Sequence, residues 1–456
     1  MRGAPGRLVS GTILVLLALA LAAGSPAAMS ADPPSTVSGK LRGDLAALVS
    51  GVAAPDPRIA SLVSGYRPGE IAYFAVLREP DDAARQAAVA ALGARVLRAY
   101  ASIDAFALAS SPTTALQVAA LPWVEWLAPV EVVVALDDRT ELDQTRATTQ
   151  DVGAPALWNQ GVRGRGVRIA VIDTGLDPTH PDFDDLDFRH WAPVGNAPKI
   201  AGSCSFLGGG SAPVGTTDGH GHGTHVAGIA TGTGEGTPLP EDDGKVVGIA
   251  PDAELAVGKA LTDAGAGLNS DLLAALEWAA LPAAPPSAER PCGSVGADVV
   301  NLSLGSEARP DRLNSGSDRD LVSLTLNRLA VRYGTLFVAA AGNSGPFVGS
   351  VLEAPGSAAQ ALSVAAAAKD FDLNDDRTQS GDTCAGWSHD PPSGGPLAQP
   401  CAGRAATQPP SISSFSSRGP SGDVWLRPDL AAPGYNIVSA QAAGGAALAT
   451  NDANLG

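Results

Sequence analysis

Three short stretches of this 456-residue sequence hold side chains able to attack, shuttle protons or stabilise charge. The first is Val171-Ile-Asp-Thr-Gly-Leu-Asp177, with Asp173 at the end of an apolar run. A carboxylate there faces the crevice at the carboxyl edge of a sheet. Asp-Thr-Gly also suits chemistry in which two aspartates share a proton, but no second Asp-Thr-Gly or Asp-Ser-Gly occurs. The second is Asp218-Gly-His-Gly-His-Gly-Thr-His-Val-Ala-Gly228, which holds three of the six histidines. His220, His222 and His225 have a spacing known from zinc hydrolases, although Thr224 stands where those sites carry Asp. Alternatively, one imidazole at the start of a helix, held beside a carboxylate, serves as general base for a hydroxyl nucleophile. The third is Phe337-Val-Ala-Ala-Ala-Gly-Asn-Ser-Gly345. Asn343 is placed either to direct an amide N–H at a developing oxyanion or simply to form a turn.

The elements around these stretches alternate. Apolar runs rich in Val, Ile and Ala predict strands over 167–172, 255–259, 298–302, 335–340 and 362–366. Helical periodicity covers 271–281 and 320–333. The expected fold is α/β, a doubly wound and mainly parallel sheet. A smaller unit precedes it over 70–136. Strands at 71–77, 105–109 and 130–134 alternate with helices at 81–92 and 113–120, as in a small α+β, ferredoxin-like domain.

Together the motifs resemble the subtilase (subtilisin-like) family of serine proteases, over about residue 154 to the end. The order is Asp, His, then the oxyanion Asn. Val171-Ile-Asp-Thr-Gly continues into Leu176-Asp-Pro-Thr-His-Pro-Asp-Phe183, and His220-Gly-His-Gly-Thr-His-Val-Ala-Gly228 follows. The resemblance implies that Asp173 orients the base His222, that His225 is structural, and that Asn343 serves the oxyanion. It implies substrate-pairing edges at 259–270, with Gly265 and Gly267, and at Asn301-Leu-Ser-Leu-Gly305, with Ser303, Leu304 and Gly305. Ala354-Pro355 falls at a family cis proline, and 415–420 and 428–434 resemble the approach to the serine segment. No cofactor is required for this chemistry. A structural calcium is admitted, because Asp182 aligns with a calcium ligand in some members, but the companion loop at 232–245 is longer. The unit over 70–136 resembles the family's inhibitory, chaperone-like propeptide. The family's nucleophile string, Gly-Thr-Ser-x-Ala-x-Pro-His, does not occur. The expectation is therefore a serine endopeptidase precursor whose sequence stops short of its nucleophile and is inactive as written. The alternative is a pseudoprotease that binds peptides by strand addition.

Composition sets the surroundings. With 47 acidic against 30 basic side chains and a formal charge of -17, the surface repels nucleic acid and anionic lipid, and the family resemblance implies proteins and peptides as partners. Arg2 and Arg7 precede an apolar run at 8–23 and small residues at 24–31, the pattern of a secretory signal peptide. The run is short for a span, and no later segment is apolar enough for one. The expected divisions are a signal peptide at 1–30, a spacer at 31–69, the small unit at 70–136, a processing linker at 137–153 and the peptidase domain at 154–456, in a secreted protein. Of four cysteines, Cys384 and Cys401 bracket a Gly/Pro-rich stretch and are the expected disulfide.

Overall fold

Strand β1 (Ile71–Leu77) is buried along all seven residues, because both of its faces are covered. Tyr73, Ala75 and Leu77 face a small core with Leu45, Val89 and Val118. Ala72, Phe74 and Val76 face the main core of the chain, with Leu272 and Leu276. The computed structural model describes residues 37–136, 149, 152–184, 198–236, 246–306, 320–345, 350, 354–367, 412–413, 415–420, 426–434, 437 and 439–443.

In the N-terminal unit, β2 (Arg95–Tyr100), β3 (Ala105–Ser110) and β4 (Val124–Pro129) join β1 in an antiparallel sheet of order β2-β3-β1-β4. Two helices precede it in the chain, α1 (Leu45–Val49) and α2 (Pro57–Leu62), and two lie between its strands, α3 (Ala83–Ala91) and α4 (Pro112–Ala120). Local chemistry starts the last two: Asp82 accepts the N–H of Arg85, and Ser111, ahead of Pro112, accepts that of Thr114. Residues 31–69 do not behave as a spacer from Val37 onward. Val37, Leu41, Leu45 and Leu48 recur at helical spacing, and Leu45 is fully buried in the small core. The sheet also contains β2 and β4, which the sequence does not announce. Arg95, Arg98 and Glu125 interrupt their apolar runs.

The larger unit begins with α5 (Ala154–Trp158) and holds a seven-stranded parallel sheet. Its strands are β6 (Arg168–Asp173), β7 (Ile200–Ser205), β8 (Glu254–Lys259), β10 (Val299–Leu302), β12 (Leu336–Ala340), β13 (Ala361–Ala367) and β14 (Leu430–Pro433). Their order is β14-β13-β12-β10-β6-β8-β7. Helix α6 (His222–Thr231) covers one face, where Val226 and Ala227 meet Val171 and Val257. Helices α7 (Asn269–Ala280) and α8 (Leu321–Tyr333) cover the other, packing with Ala170, Ile172 and Val300. The sheet is thus doubly wound, and β6 separates β8 and β7 on one side from β10, β12, β13 and β14 on the other. The five expected strands and two expected helices all form, within two residues of their expected ends. The two edge strands, β7 and β14, were not expected. An edge strand needs no continuous apolar run, and Ile200-Ala-Gly-Ser-Cys-Ser205 has none. No helix among the described residues is long and apolar enough to cross a membrane.

Cys204, on β7, is bonded to Cys292, 88 residues away, with the Cα atoms 5.8 Å apart. The expected partners Cys384 and Cys401 lie outside the described residues. By the chain-entropy estimate, a loop of this length stabilises by about 4.6 kcal/mol. The double change Cys204→Ala/Cys292→Ala should lower the unfolding free energy in urea by about that amount. An unchanged midpoint would show that the bond does not form.

Candidate active site

Asp173 is the last residue of β6 and His222 the first of α6. Nδ1 of His222 lies 2.7 Å from Oδ1 of Asp173, and both side chains are buried. A carboxylate at Nδ1 holds the proton on that nitrogen and leaves Nε2 to face the cleft. Asp173 Oδ1 also accepts the N–H of Thr174 at 2.7 Å, which fixes the carboxylate.

What aims the imidazole is the start of α6. Its cap is Gly221, at φ 100°, which supplies no side chain. Asp218 takes over that role. Its Oδ1 accepts the N–H groups of His220 and Gly221 and the Thr174 hydroxyl; its Oδ2 accepts the N–H and hydroxyl of Thr224. Burial alone would raise the Asp218 carboxyl, but the donors from Gly221, Thr224 and Thr174 outweigh it and hold the pKa below the ordinary value. The local sequence marks Asp218 only as an acid just ahead of a helix, which is the available signal for this role. Thr174 links the two motifs, since its hydroxyl accepts the Gly223 N–H at 2.8 Å. The helix sits at backbone distance from the Asp173 turn. A Cβ at Gly223 would lie 2.2 Å from the Gly175 carbonyl oxygen.

The three histidines have separate surroundings. His222 faces Asp173; His225 Nε2 is 2.8 Å from the carbonyl oxygen of Ile437; His220 is buried beside Gly265, where a Cβ would come 2.8 Å from its Nε2. Burial holds His225 below the usual histidine pKa, despite the Ile437 carbonyl. The three rings do not converge, and among the described residues no group of three His, Cys, Asp or Glu is placed to hold a metal. Asp182 is turned inward. It accepts the N–H of Gly236 at 2.7 Å and faces His180 and Lys199, and burial raises its carboxyl. Its described neighbours are donors and cations, which do not fit a calcium site.

The expected substrate edges are both engaged. Strand β5 (Val132–Ala135) lies antiparallel between β9 (Ala266–Leu268) and β11 (Leu304–Ser306). Val133 pairs with Gly267, and Val134 with Gly305. The N–H of Ala135 reaches the Gly265 carbonyl at 2.8 Å, and that of Leu136 the Ser303 carbonyl at 3.1 Å. Gly265, Gly267, Ser303, Leu304 and Gly305 thus all serve one added strand. That strand was expected to close the N-terminal unit; the sheet of that unit ends instead at β4. Leu136 lies beside a cavity of about 290 Å³ bounded by Gly305, Ala341, Asn343, Ala354 and Gly356. The Leu136 carbonyl oxygen is 3.4 Å from His222 Nε2. Asn343 stands in the loop after β12, which Ser417 holds by accepting the N–H of Ser344 and donating its own N–H to Gly342. The Ala354–Pro355 bond in the same wall is cis.

The pattern that defines the Subtilase family matches residues 164–455. Subtilisin of Bacillus sp. (strain TA39) is 34% identical over 254 residues, covering 53% of this chain and 51% of that protein. Subtilisin Savinase of Lederbergia lenta is 37% identical over 215 residues, 47% of this chain and 61% of that protein. Serine protease AprX of Bacillus subtilis (strain 168) is 28% identical over 309 residues, 68% of this chain and 54% of that protein. The chain spans about half the length of the curated relatives it matches.

Proposed function

The chain belongs to the subtilase family of serine proteases, and on that premise we propose that it is the precursor of an exported endopeptidase, held by its own N-terminal unit. One observation carries the reading. Residues 132–136 run through the cleft as a peptide substrate would, and the Leu136 carbonyl meets His222.

In this mechanism a serine hydroxyl attacks the scissile carbonyl carbon. His222 accepts the hydroxyl proton at Nε2 and later passes it to the leaving amine. Asp173 keeps the imidazole oriented and stabilises its cation. The developing oxyanion is held by the Asn343 amide and by the backbone N–H of the serine. No cofactor enters these steps. The serine is that of Gly-Thr-Ser-x-Ala, a string absent from residues 1–456. The unit that ends at Leu136 is the intramolecular inhibitor and folding partner, and Leu136 precedes the bond to be cut. Export removes residues 1–30, which lie outside the described residues.

The test is mass spectrometry of the chain joined to a Gly-Thr-Ser-x-Ala segment and secreted by a protease-deficient host. Cleavage between Leu136 and Asp137, abolished when that serine becomes alanine, is expected. An uncut chain that still binds peptides would make the cleft a pseudoprotease groove. A cut made without the serine would overturn the assignment of the nucleophile.

The role of Asn343 is tested in the same chain. Asn343→Leu keeps the shape but loses the donor, so turnover should fall by roughly 10²–10³-fold with little change in KM, as for such a donor in subtilisin. Unchanged turnover would remove Asn343 from the mechanism.

A further inference from the structure

The two units also meet through one arginine outside the cleft. Arg98, on β2, is nearly buried and reaches into the larger unit. Its Nη1 donates to Ser211 Oγ at 2.9 Å; its Nη2 donates to the carbonyls of Phe206, at 3.1 Å, and Gly210. Asp271, in the first turn of α7, lies 3.7 Å away with its side chain 2% exposed. The guanidinium carbon stands 5.9 Å from the centre of the Phe206 ring. The larger unit therefore supplies three hydrogen-bond acceptors, two carbonyls and a hydroxyl, with a carboxylate and a ring face beside them.

The acceptors are held by the larger unit itself. Asp271 accepts the N–H groups of Gly208 and Gly209, each at 3.1 Å, so the carboxylate that faces Arg98 also shapes the loop that carries the carbonyls. Gly208 and Gly209 have φ of 69° and 82°, values that favour glycine. A Cβ at Gly209 would lie 3.5 Å from the Leu97 carbonyl oxygen, so the loop lies close against β2. Acceptors spread around a planar fork suit guanidinium; an ammonium, a compact point charge, cannot reach them together.

We propose that the larger unit carries a guanidinium-binding site, built from the Phe206 and Gly210 carbonyls, Ser211 Oγ and the Asp271 carboxylate, which Arg98 fills in this chain and which takes an arginine of a protein substrate once the N-terminal unit has left. The second half rests on the peptidase reading; the site itself does not. One of its members, Asp271, follows the cleft-edge strand β9 by three residues, which ties the site to that edge.

Chemical rescue in the intact chain tests the site. Burial pushes the Asp271 carboxyl up to about 7, against the pull of Arg98 and the Gly209 and Gly208 amides, so the measurement is made above that pH. The other titratable groups nearby are Tyr100, on β2, whose hydroxyl donates to the Ser270 carbonyl, and Glu277, on α7, which faces Arg98 and Arg290. Arg98→Ala should speed hydrogen exchange of the 206–211 amides by roughly ten- to hundredfold, the loss of charge-assisted hydrogen bonds. Added propylguanidinium should restore most of the protection in Arg98→Ala. It should do nothing in the native chain, where the site is filled, or in Arg98→Ala/Asp271→Asn. Propylammonium should fail, and Arg98→Lys should behave like Arg98→Ala. Native exchange rates in Arg98→Ala, equal rescue by both cations, rescue that survives Asp271→Asn, or full protection in Arg98→Lys would each overturn the site. None of these readings involves hydrolysis. In the processed enzyme, propylguanidinium should slow cleavage of an arginine-rich protein but not of a short arginine-free peptide. Equal effects on both would overturn the substrate role and leave the site standing.

Discussion

In a chain that carries the serine segment, His222→Ala is expected to abolish peptide-bond hydrolysis, with a loss of at least roughly 10⁴-fold, the upper range for a positioned acid–base group. The reason is geometric. Among the described histidines, only His222 joins a buried carboxylate, 2.7 Å from its Nδ1, to the carbonyl of the strand in the cleft, 3.4 Å from its Nε2. His220→Ala should cost far less. That ring stands 6.2 Å from His222, centre to centre, and packs beside Gly265 at the rim of the added strand. Its removal should loosen the edge and raise KM more than it lowers kcat. Equal and complete losses in both variants, restored by zinc, would return the histidine cluster to the metal reading.

Gly223→Ala should also cost activity, although Gly223 touches no substrate. The added methyl would meet the Gly175 carbonyl oxygen at 2.2 Å and the Thr174 hydroxyl at 3.1 Å. The first of these is main chain, so α6 must move away from β6 and carry His222 off Asp173. A displacement near 1 Å at a catalytic group costs about 10²-fold in rate, and the overpacking costs about 1–3 kcal/mol in stability. The cleft edges at 265–268 and 303–306 belong to other elements, so kcat should fall with KM nearly unchanged. Native kcat in this variant would show that the helix and the Asp173 turn are not rigidly coupled.

The groups of this site were legible one by one. Asp173 follows an apolar strand, His222 opens a helix of small residues, and Asn343 follows a strand and a glycine. Each signal is local, set by a few neighbours along the chain, and the order of the three identified the family. The five strands at 167–172, 255–259, 298–302, 335–340 and 362–366 were legible for a related reason. They are interior strands of a parallel sheet, and burial on both faces demands an unbroken apolar run.

Tertiary structure decided the rest, because the remaining features depend on residues far apart in sequence. Asp218 caps its helix through near neighbours, but its tie to the Asp173 turn comes from Thr174, 44 positions earlier, whose hydroxyl reaches the same carboxylate. Val132–Ala135 has the composition of any buried strand; only the spacing between β9 and β11 sends it into the cleft rather than into the sheet of its own unit. Cys204 and Cys292 meet because an edge strand and a loop between α7 and β10 are adjacent, which cysteine spacing does not encode. Arg98 and Asp271, 173 residues apart, carry no local signal that pairs them. The sequence by itself determined the family, the interior sheet and the identities of the reactive groups, since each is written in short-range pattern. The tertiary structure determined which groups share a proton, which strand fills the cleft and where the two units are fastened, since those depend on long-range packing between surfaces.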